Sequence, residues 1–324
     1  MKGIWVTWEL QRRNKGISSA LDWSLHEIVI NKPRIVRYFF SIIETIKLIR
    51  EKKPAVIAAQ NPSIVLATVT VLLRSIYGYK VIIDAHNSGI HPAEGRSFLL
   101  GSISRWLQRK ADLTIVTNQE LRAVVESNGG TAFVLPDRLP RVNSNSANLP
   151  NERAKIVFIC TFSVDEPYEE VLKAARMISG DAMIYVTGRY DGRIDPRNVP
   201  TNVRLVGFVP EEEFWALLSA ADFIMDLTLR EGCLVCGAYE GVALSKPLIL
   251  SDTKVLRSYF SEGCIYVSSN AESIAQGIRR AITDVEKLRS GIRRLKERLE
   301  TSWTNSLKDL ENRIEAVSQP TNKK

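Results

Sequence analysis

The chain has 324 residues, of which 45% are hydrophobic and 25% are charged. This composition excludes a disordered or low-complexity chain, and the length suits two domains better than a single core. Charge is uneven, because residues 1–150 contain 20 Lys+Arg and 11 Asp+Glu (net +9), whereas the remainder contains 24 and 25 (net −1). A basic half predicts contact with an anionic surface, nucleic acid or lipid, unless the bias serves solubility alone.

No export signal is expected at the N-terminus. The apolar run in MKGIWVTWELQRR is too short for a signal peptide, and no small-residue cleavage site follows it. The most apolar stretch, 55–73, is interrupted by polar residues and a proline at 60–63, so it predicts a strand, a turn and a helix rather than a membrane span. We therefore expect a cytoplasmic protein with four reduced thiols, at Cys160, Cys233, Cys236 and Cys264.

Short β-branched runs alternate with helical periodicity through the first half of the chain. Strands are predicted at 3–8, 55–59, 80–85, 113–117 and 131–135. Helices are predicted at 33–52, 62–76, 97–110 and 119–127. Residues 139–155 are rich in Asn, Ser and Pro with little periodicity, and this composition predicts an interdomain linker.

The same alternation restarts after the predicted linker. Strands are predicted at 156–160, 182–186, 203–206, 223–225, 247–250 and 264–267. Helices are predicted at about 167–178, 211–219, 236–244, 253–260 and 271–286. The alternation predicts a parallel sheet covered on both faces in each half. Open sheets of this kind bind ligands at the carboxyl ends of their strands, so the loops after strands are the candidate sites.

The most informative loop follows the predicted strand at 223–225 and contains EGCLVCGAYE, residues 231–240. Gly232 and Gly237 lack Cβ atoms, so backbone N–H groups beside them can approach an anion closely. The helix that starts here favours negative charge at its N-terminus. Glu231 and Glu240 are acceptors suited to hydroxyl-rich ligands. The loop therefore predicts a site for a diphosphate flanked by hydroxylated rings.

The two cysteines of this loop do not predict a metal site. Cys233 and Cys236 form a C-x-x-C pair, but no second pair or nearby His pair accompanies them. We expect packing or loop roles for both thiols rather than a redox role. No D-x-D pair stands at a predicted strand end, so no divalent metal is expected.

The stretch EGCLVCGAYEGVALSKP, together with NVRLVGFVPEEEFWALLSAADFIMDLTLREG before it, resembles the donor domain of GT-B-type retaining glycosyltransferases. In the first half, TWELQRRNKGISSAL resembles the same family's opening strand and glycine loop. The segments IAAQNP, VIIDAHNSG and ADLTIVTNQEL are similar to other parts of its acceptor domain. The resemblance is to family 4-like enzymes of bacterial surface-polysaccharide or glycolipid assembly. It implies an α/β fold with two Rossmann-like, doubly wound parallel-sheet domains facing across a cleft.

The resemblance also implies the domain limits and the reaction. The acceptor domain is expected at 1–147 and the nucleotide-sugar donor domain at 148–302. A last helix at 303–318 is expected to pack back on the first domain, and 319–324 to form a disordered tail. The implied reaction moves a sugar, with retention and without metal or cofactor, from a UDP- or GDP-linked donor to a glycan or lipid-linked acceptor.

Three roles are implied around the transferred sugar. Glu231 is expected to bind hydroxyl groups of that sugar, and Glu240 to bind the ribose of the nucleotide. His86, which follows the predicted strand at 80–85, is expected beside the sugar. A turn histidine bonded to nearby backbone is the alternative for His86.

The phosphate contacts depart from the family pattern. The family often places an Arg and a Lys after the first strand of the donor domain, whereas this loop reads TFSVDEPYE, and eight residues rather than seven separate the motif glutamates. Gly16 and Arg12, with Arg13, are expected to meet phosphate from the first domain, unless the arginines form an exposed basic turn. The other candidates for binding phosphate are Gly232, Gly237, Ala238, Thr161, Ser163, Arg189 and Arg230.

Two basic segments, 32–53 and 97–110, combine Lys and Arg with aromatic and aliphatic residues. They predict peripheral contact with the anionic inner face of the cell membrane, unless their apolar faces pack on the sheet. No nucleic-acid-binding motif is present, so no nucleic-acid partner is expected. Two other functions remain open: a sugar-nucleotide 2-epimerase of the same fold, and a non-catalytic nucleotide-sugar-binding protein.

Overall fold

A computed structural model describes residues 3–61, 63–142, 147, 149 and 153–318. The chain forms two compact units: unit 1 comprises Met1–Arg138 and Ser302–Lys324, and unit 2 comprises Leu139–Thr301. Each unit contains a six-stranded sheet in which every strand pair is parallel. The predicted α/β class with two doubly wound parallel sheets is therefore confirmed.

Unit 1 is built on a sheet with the strand order β2-β1-β3-β4-β5-β6. Its strands are β1 Ile4–Thr7, β2 Ser24–Glu27, β3 Val56–Asn61, β4 Lys80–Ala85, β5 Leu113–Val116 and β6 Ala132–Val134. Its helices are α1 Arg12–Ala20, α2 Arg34–Lys52, α3 Ile64–Tyr77, α4 Asn87–Ile90, α5 Phe98–Lys110 and α6 Gln119–Ser127. The chain turns back after the β1–β2 unit, so the topological switch point lies between β1 and β3.

Unit 2 repeats this architecture with the strand order β12-β11-β10-β7-β8-β9. Its strands are β7 Ala154–Phe158, β8 Ala182–Thr187, β9 Val203–Gly207, β10 Phe223–Asp226, β11 Leu248–Ser251 and β12 Cys264–Val267. The helices are α7 Tyr168–Met177, α8 Glu211–Ala220, α9 Cys236–Ala243, α10 Lys254–Tyr259, α11 Ala271–Thr283 and α12 Val285–Ser318. The switch point of this sheet lies between β7 and β10.

Two apolar layers flank each sheet. In unit 1 one layer joins the sheet to α2, α3, α5 and α6, and the other joins it to α1 and to the end of α12. Trp303, Leu310 and Ile314 of α12 are buried in this second layer beside Trp5 and Ile17. In unit 2 one layer contains α7 and α11, and the other contains α8, α9, α10 and the earlier part of α12. Because alternate strand residues enter opposite layers, the central strands are buried on both faces, whereas the edge strands β2, β6 and β9 are only partly covered.

Local sequence signals set several helix ends. Ser97, Asn118, Thr253 and Asn270 each accept a hydrogen bond from a backbone N–H in the first turn of the helix that follows. Gly78 ends α3 with a φ of 73°, a left-handed conformation that glycine adopts without steric cost.

Two local predictions are wrong, and one strand was not predicted. The stretch TWELQRRNKGISSAL resembles an opening strand and a glycine loop, but its residues 12–20 form helix α1, because buried Asn14, Ile17 and Ser18 pack under the sheet and tertiary contacts outweigh a low helix propensity. The edge strand β2 was not predicted, since its sequence SLHE has no apolar alternation. The last helix starts at Val285 instead of residue 303, after a break at Asp284 that separates it from α11.

The predicted linker at 139–155 packs on unit 2 where it is described. Leu139 is buried in a core layer of unit 2, and the backbone N–H of Ala147 donates to the carbonyl of Ala216. Residues 143–146, 148 and 150–152, and the predicted tail at 319–324, lie outside the described residues.

Candidate active site

The switch point of unit 2 brings two loops together, one after β7 and one after β10. Both loops leave the carboxyl edge of the sheet at adjacent strands. Gly188, after β8, also belongs here: its φ is 92°, and a Cβ on it would lie 1.9 Å from the carbonyl oxygen of Cys160. A bare backbone is therefore needed where the turn after β8 packs on the β7 loop. This edge contains the candidate residues of unit 2.

The loop after β7 folds around the carboxylate of Glu166. Glu166 accepts hydrogen bonds from the backbone N–H of Thr161 at 2.9 Å and of Ser163 at 2.8 Å. The Thr161 hydroxyl donates to it at 3.1 Å, and the Cys160 thiol lies 3.4 Å from it. Burial and the nearby Glu166 raise the pKa of Cys160. Thr161 and Ser163 were predicted to meet phosphate, but in this structure their donors hold an internal carboxylate.

Asp165 connects the two loops. It accepts a hydrogen bond from the Ser163 hydroxyl at 2.5 Å and another from the Thr228 hydroxyl at 3.2 Å. The guanidinium Nε of Arg230 lies 3.2 Å from the same carboxylate. Arg230 and Ser163 are thus brought to one carboxylate, although 67 positions separate them in the sequence.

Asp226, the last residue of β10, lies against the start of helix α9. Its side chain is buried, and Oδ2 accepts a 2.7 Å hydrogen bond from the backbone N–H of Gly237. A Cβ on Gly237 would lie 2.6 Å from Asp226 Oδ2 and 2.6 Å from Ile159 Cδ1. Gly237 is therefore required for close packing, and its N–H, predicted to face phosphate, bonds Asp226.

Three other acidic side chains lie near the buried carboxyl group of Asp226 at this edge. Burial raises the pKa of Asp226 well above its ordinary value, and repulsion from Glu166, Glu240 and Asp165 adds to the rise. Glu240 is itself buried in α9, one turn after Cys236. The described residues contain no group of three or more His, Cys, Asp or Glu that could hold a metal ion.

The other predicted residues of unit 2 have different surroundings. Glu231 is exposed in the turn after β10, and Gly232 follows it, half-buried. Ala238 is fully buried in the first turn of α9. Arg189 stacks over the exposed ring of Phe208, with the guanidinium carbon 5.2 Å from the ring centroid. None of the contacts described for Arg189 is with the carboxylate cluster.

Unit 1 has a buried charge network where phosphate contacts were predicted. Arg13 donates to Asp84 through Nε at 3.0 Å and Nη2 at 2.8 Å, to Asp137 at 2.6 Å, and to the carbonyl of Leu135 at 2.9 Å. Burial alone would lower the pKa of Arg13, but the two carboxylates outweigh it and raise the pKa. Arg13 is therefore a buried cation held by carboxylates, and the alternative of an exposed basic turn is wrong for it.

Arg12 and Gly16 lie on helix α1. Arg12 is exposed at its first position, while Gly16 is half-buried within it. The expected glycine loop does not exist here, so the Gly16 N–H belongs to a helical turn instead of a phosphate-binding turn.

His86 follows β4 directly and caps the short helix α4 with its backbone. Its Nε2 lies 3.9 Å from Asp84 Oδ2, beyond hydrogen-bond distance, and is buried without a partner in the structure. Gln60 Nε2 and Asn61 Oδ1, at the end of neighbouring β3, are also buried without partners. Backbone pairing places Gln60 opposite Asp84, and the His86 N–H donates to the carbonyl of Asn61. These side chains gather at the carboxyl edge of β3 and β4.

Sequence reasoning missed several residues of these clusters. Glu166 and Asp226 carried no motif, and Asp165 lies in the loop before Pro167 and α7 without a sequence signal of its own. One signal could have found Asp226, which comes directly after the predicted strand at 223–225, where ligand-facing residues concentrate.

Comparisons with known proteins concern the family and the fold. Residues 141–298, just under half of the chain, match the family model described as glycosyl transferases group 1. No curated protein sequence matches the chain. Many solved structures share the fold; one is a sucrose-phosphate synthase from Thermosynechococcus elongatus, with a TM-score of 0.76 and 14% identity over 97% of this chain and 99% of that one.

Two further solved structures with a similar fold concern sugar nucleotides. HepE from Anabaena, solved with UDP-glucose, has a TM-score of 0.72 and 12% identity over 96% of this chain and 100% of that one. A Listeria monocytogenes protein assigned as a UDP-N-acetylglucosamine 2-epimerase has a TM-score of 0.67 and 10% identity over 97% of both chains. At these identities the likeness shows the fold, which is the two-domain GT-B fold. The family match and the fold together support a glycosyltransferase of the GT-B type.

Proposed function

We propose that the protein transfers a sugar from a nucleoside-diphosphate sugar to a glycan or lipid-linked acceptor. The observation that carries the proposal is the position of the family match: residues 141–298 include the loops after β7 and β10 at the switch point of unit 2. UDP-glucose, bound by the Anabaena protein of the same fold, supports a nucleotide-sugar as donor. We propose retention of configuration and no metal or cofactor, as the sequence resemblance implies.

The transition state of glycosyl transfer is oxocarbenium-like at the sugar and develops negative charge on the leaving diphosphate. Glu231, exposed after β10, is proposed to bind hydroxyl groups of the transferred sugar, and Glu240 the nucleotide ribose. Arg230 is proposed as the phosphate partner. A guanidinium has five N–H donors, so Arg230 can bind phosphate oxygens while its Nε remains beside Asp165.

His86 is proposed to lie beside the reacting sugar from the carboxyl edge of unit 1. Its buried Nε2 has no protein partner, and Gln60 and Asn61 add two more polar groups at the same edge. A hydroxyl-rich acceptor would satisfy these groups, since an unsatisfied buried donor or acceptor costs free energy.

Nucleotide binding gives the first test. The melting temperature of the full chain is measured with UDP, GDP, ADP and CMP. A ligand at ~100 times its Kd adds about 2.7 kcal/mol to the free energy of unfolding. We expect one diphosphate to stabilise the protein. If none does, the proposed donor class is wrong.

Two variants then separate the roles of the glutamates. Glu240→Ala should weaken nucleotide binding, whereas Glu231→Ala should leave nucleotide binding unchanged and lower turnover of the sugar-nucleotide. Glu286→Ala is the matched control, because Glu286 is exposed at the start of α12. Equal effects of all three substitutions would contradict the assigned roles.

One alternative function has support from a specific observation. The Listeria protein assigned as a 2-epimerase shares the fold over 97% of both chains, so the same architecture is associated with a reaction that needs no separate acceptor. Incubation with UDP-N-acetylglucosamine alone, followed by NMR of the sugar, distinguishes the two. A change at C2 without any acceptor would identify an epimerase.

A non-catalytic role is also consistent with one feature of the site. The amide donors at Thr161, Ser163 and Gly237 hold the chain's own carboxylates. Nucleotide binding without either transfer or epimerisation would support this role.

We further propose action at the inner face of the cell membrane, in polysaccharide or glycolipid assembly. The described residues contain no helix that is long and apolar enough to cross a membrane. Contact is proposed through the basic segments 32–53 and 97–110, in the unit that would bind the acceptor.

A further inference from the structure

Helix α2 has two apolar faces, and only one of them packs on the sheet. Ser41, Thr45 and Ile49 form its buried face. On the opposite side of the first two turns, Ile35 is 84% exposed and Phe39 is 61% exposed. Val36 and Phe40, one position further round the helix, are also exposed. The exposed apolar residues of α2 thus form a continuous strip at i, i+1, i+4 and i+5, which core packing leaves uncovered.

The residues around this strip are basic. The sequence from 28 to 43 contains Lys32, Arg34 and Arg37 and no acidic residue. Arg34 and Arg37 lie over the ring of Tyr38, with guanidinium carbons 5.8 Å and 5.4 Å from its centroid. Each base is exposed. The strip is therefore bordered by positive charge that no acid within the segment neutralises.

The start of α5 carries two further exposed apolar residues. Phe98 is 85% exposed and Leu99 is 68% exposed. Helices α2 and α5 contribute to the same core layer, so they cover the same face of the sheet. Both begin on the carboxyl side of the strands that precede them, which places their first turns at one edge of unit 1. His86 and Asn61 lie at this edge as well.

We propose that the first two turns of α2, with the start of α5, rest in the plane of an anionic phospholipid surface. The inference deepens and rests on the proposed function, because it sets the carboxyl edge of unit 1 at the bilayer and makes a lipid-linked acceptor the substrate class. A second copy of the chain fits this strip poorly, since a symmetric contact would oppose Lys32, Arg34 and Arg37 to the same bases. Apolar side chains ringed by bases match an interface of acyl chains beneath anionic headgroups.

The structure narrows the basic segments predicted from sequence. Beyond Phe40, α2 turns its apolar residues to the sheet, and its bases Lys47, Arg50 and Lys52 are exposed. The part of 32–53 that can insert apolar groups is thus its first third. In 97–110, Leu107 is buried and Trp106 packs against the core, so insertion is confined to Phe98 and Leu99.

The test uses the full chain and vesicles of phosphatidylcholine with or without 30% phosphatidylglycerol. Co-sedimentation should show binding to the anionic vesicles and much weaker binding to the neutral ones. The Ile35→Ser/Phe39→Ser variant should lower the apparent partition coefficient by at least about tenfold, because two apolar side chains no longer leave water. Arg34→Gln/Arg37→Gln should lower it roughly fivefold per charge near the surface, an effect that salt removes.

The chain offers a matched control on α3. Leu72 is 58% exposed and Ile76 is 72% exposed, and both lie in the last turns of α3, at the opposite edge of the sheet. Leu72→Ser/Ile76→Ser should bind vesicles like the unaltered chain. The proposal would be overturned if Ile35→Ser/Phe39→Ser and Leu72→Ser/Ile76→Ser reduced vesicle binding equally, or if the chain showed no preference for anionic vesicles. Self-association without vesicles that Ile35→Ser/Phe39→Ser abolishes would assign the strip to a second copy and also overturn it.

The docking test and the donor test fail independently. Vesicle binding needs no nucleotide, and nucleotide stabilisation is measured without vesicles. If the chain binds UDP but not anionic vesicles, the proposed docking surface is wrong and the proposed donor stands. If it binds anionic vesicles but not UDP, the proposed docking surface stands. Circular dichroism of each paired variant verifies that the fold is unchanged.

Discussion

Arg13→Met removes the cation of the buried network in unit 1. Arg13 is 7% exposed and donates to Asp84, Asp137 and the carbonyl of Leu135. Asp84 is fully buried, so the substitution leaves its carboxylate without a compensating charge. Breaking a buried ion pair in this way costs about 3–5 kcal/mol. For a unit of this size the melting temperature should fall by roughly 6–20 °C.

Tryptophan fluorescence during urea denaturation reports this effect with some selectivity. Five of the six tryptophans lie in unit 1, at Trp5, Trp8, Trp23, Trp106 and Trp303. The matched control is Lys15→Met on the same helix, because Lys15 is exposed and lies 4.0 Å from Glu27. A surface pair of this kind contributes less than about 1 kcal/mol.

A double substitution tests the charge explanation. Arg13→Met/Asp84→Leu removes both buried charges, and apolar replacement of a whole buried pair is often neutral, so most of the lost stability should return. Unchanged stability of Arg13→Met together with lost nucleotide binding would refute the structural role and restore Arg13 as a phosphate ligand.

Three further predictions concern unit 2. Asp226→Asn keeps an oxygen for the Gly237 N–H. Because the pKa of Asp226 is raised in the folded state, the native carboxyl stabilises unit 2 at low pH and loses that contribution as pH rises. Thermal unfolding of the variant should therefore depend less on pH between 4 and 8, and parallel pH profiles of the melting temperature for the variant and the unaltered chain would contradict this. Burial raises the pKa of Cys264 to about 12, so iodoacetamide at pH 8 should label exposed Cys236 first by mass spectrometry, and equal rates would be inconsistent with the structure. Glu166→Gln should tighten binding of a nucleoside diphosphate by about tenfold in calorimetry, because it removes a negative charge from the loop after β7. Glu169→Gln, at an exposed position, should leave the affinity unchanged. Weaker binding by Glu166→Gln would show that the carboxylate organises the site.

Most elements of the fold could be predicted because their signals are local. The strands β4 and β12 and the helix α6 have the predicted ends, since apolar runs and periodic helices are bounded there by turn or capping residues. Two of the elements that were missed, α1 and β2, have weak local patterns and are held by burial against β1. Their formation depends on contacts that local periodicity does not encode.

The candidate site was predictable to the level of the loops and no further. EGCLVCGAYE was located from its glycines and glutamates, and the structure places it after β10 at the switch point. The partner of each group could not be predicted. Glu166 accepts hydrogen bonds from amides of the loop that was expected to meet phosphate, and Asp226 accepts one from the N–H of Gly237.

The sequence by itself determined two parallel-sheet domains, the position of the glycine-containing loop and a basic first half, because periodicity, turn residues and charge are readable along the chain. Tertiary structure alone decided that Arg13 is a buried cation, that four carboxyl groups share one edge of unit 2, and that Ile35 and Phe39 stay exposed beside three bases. These features depend on which distant strands become neighbours and on which helix face the sheet covers. Both are set by the packing of the whole unit.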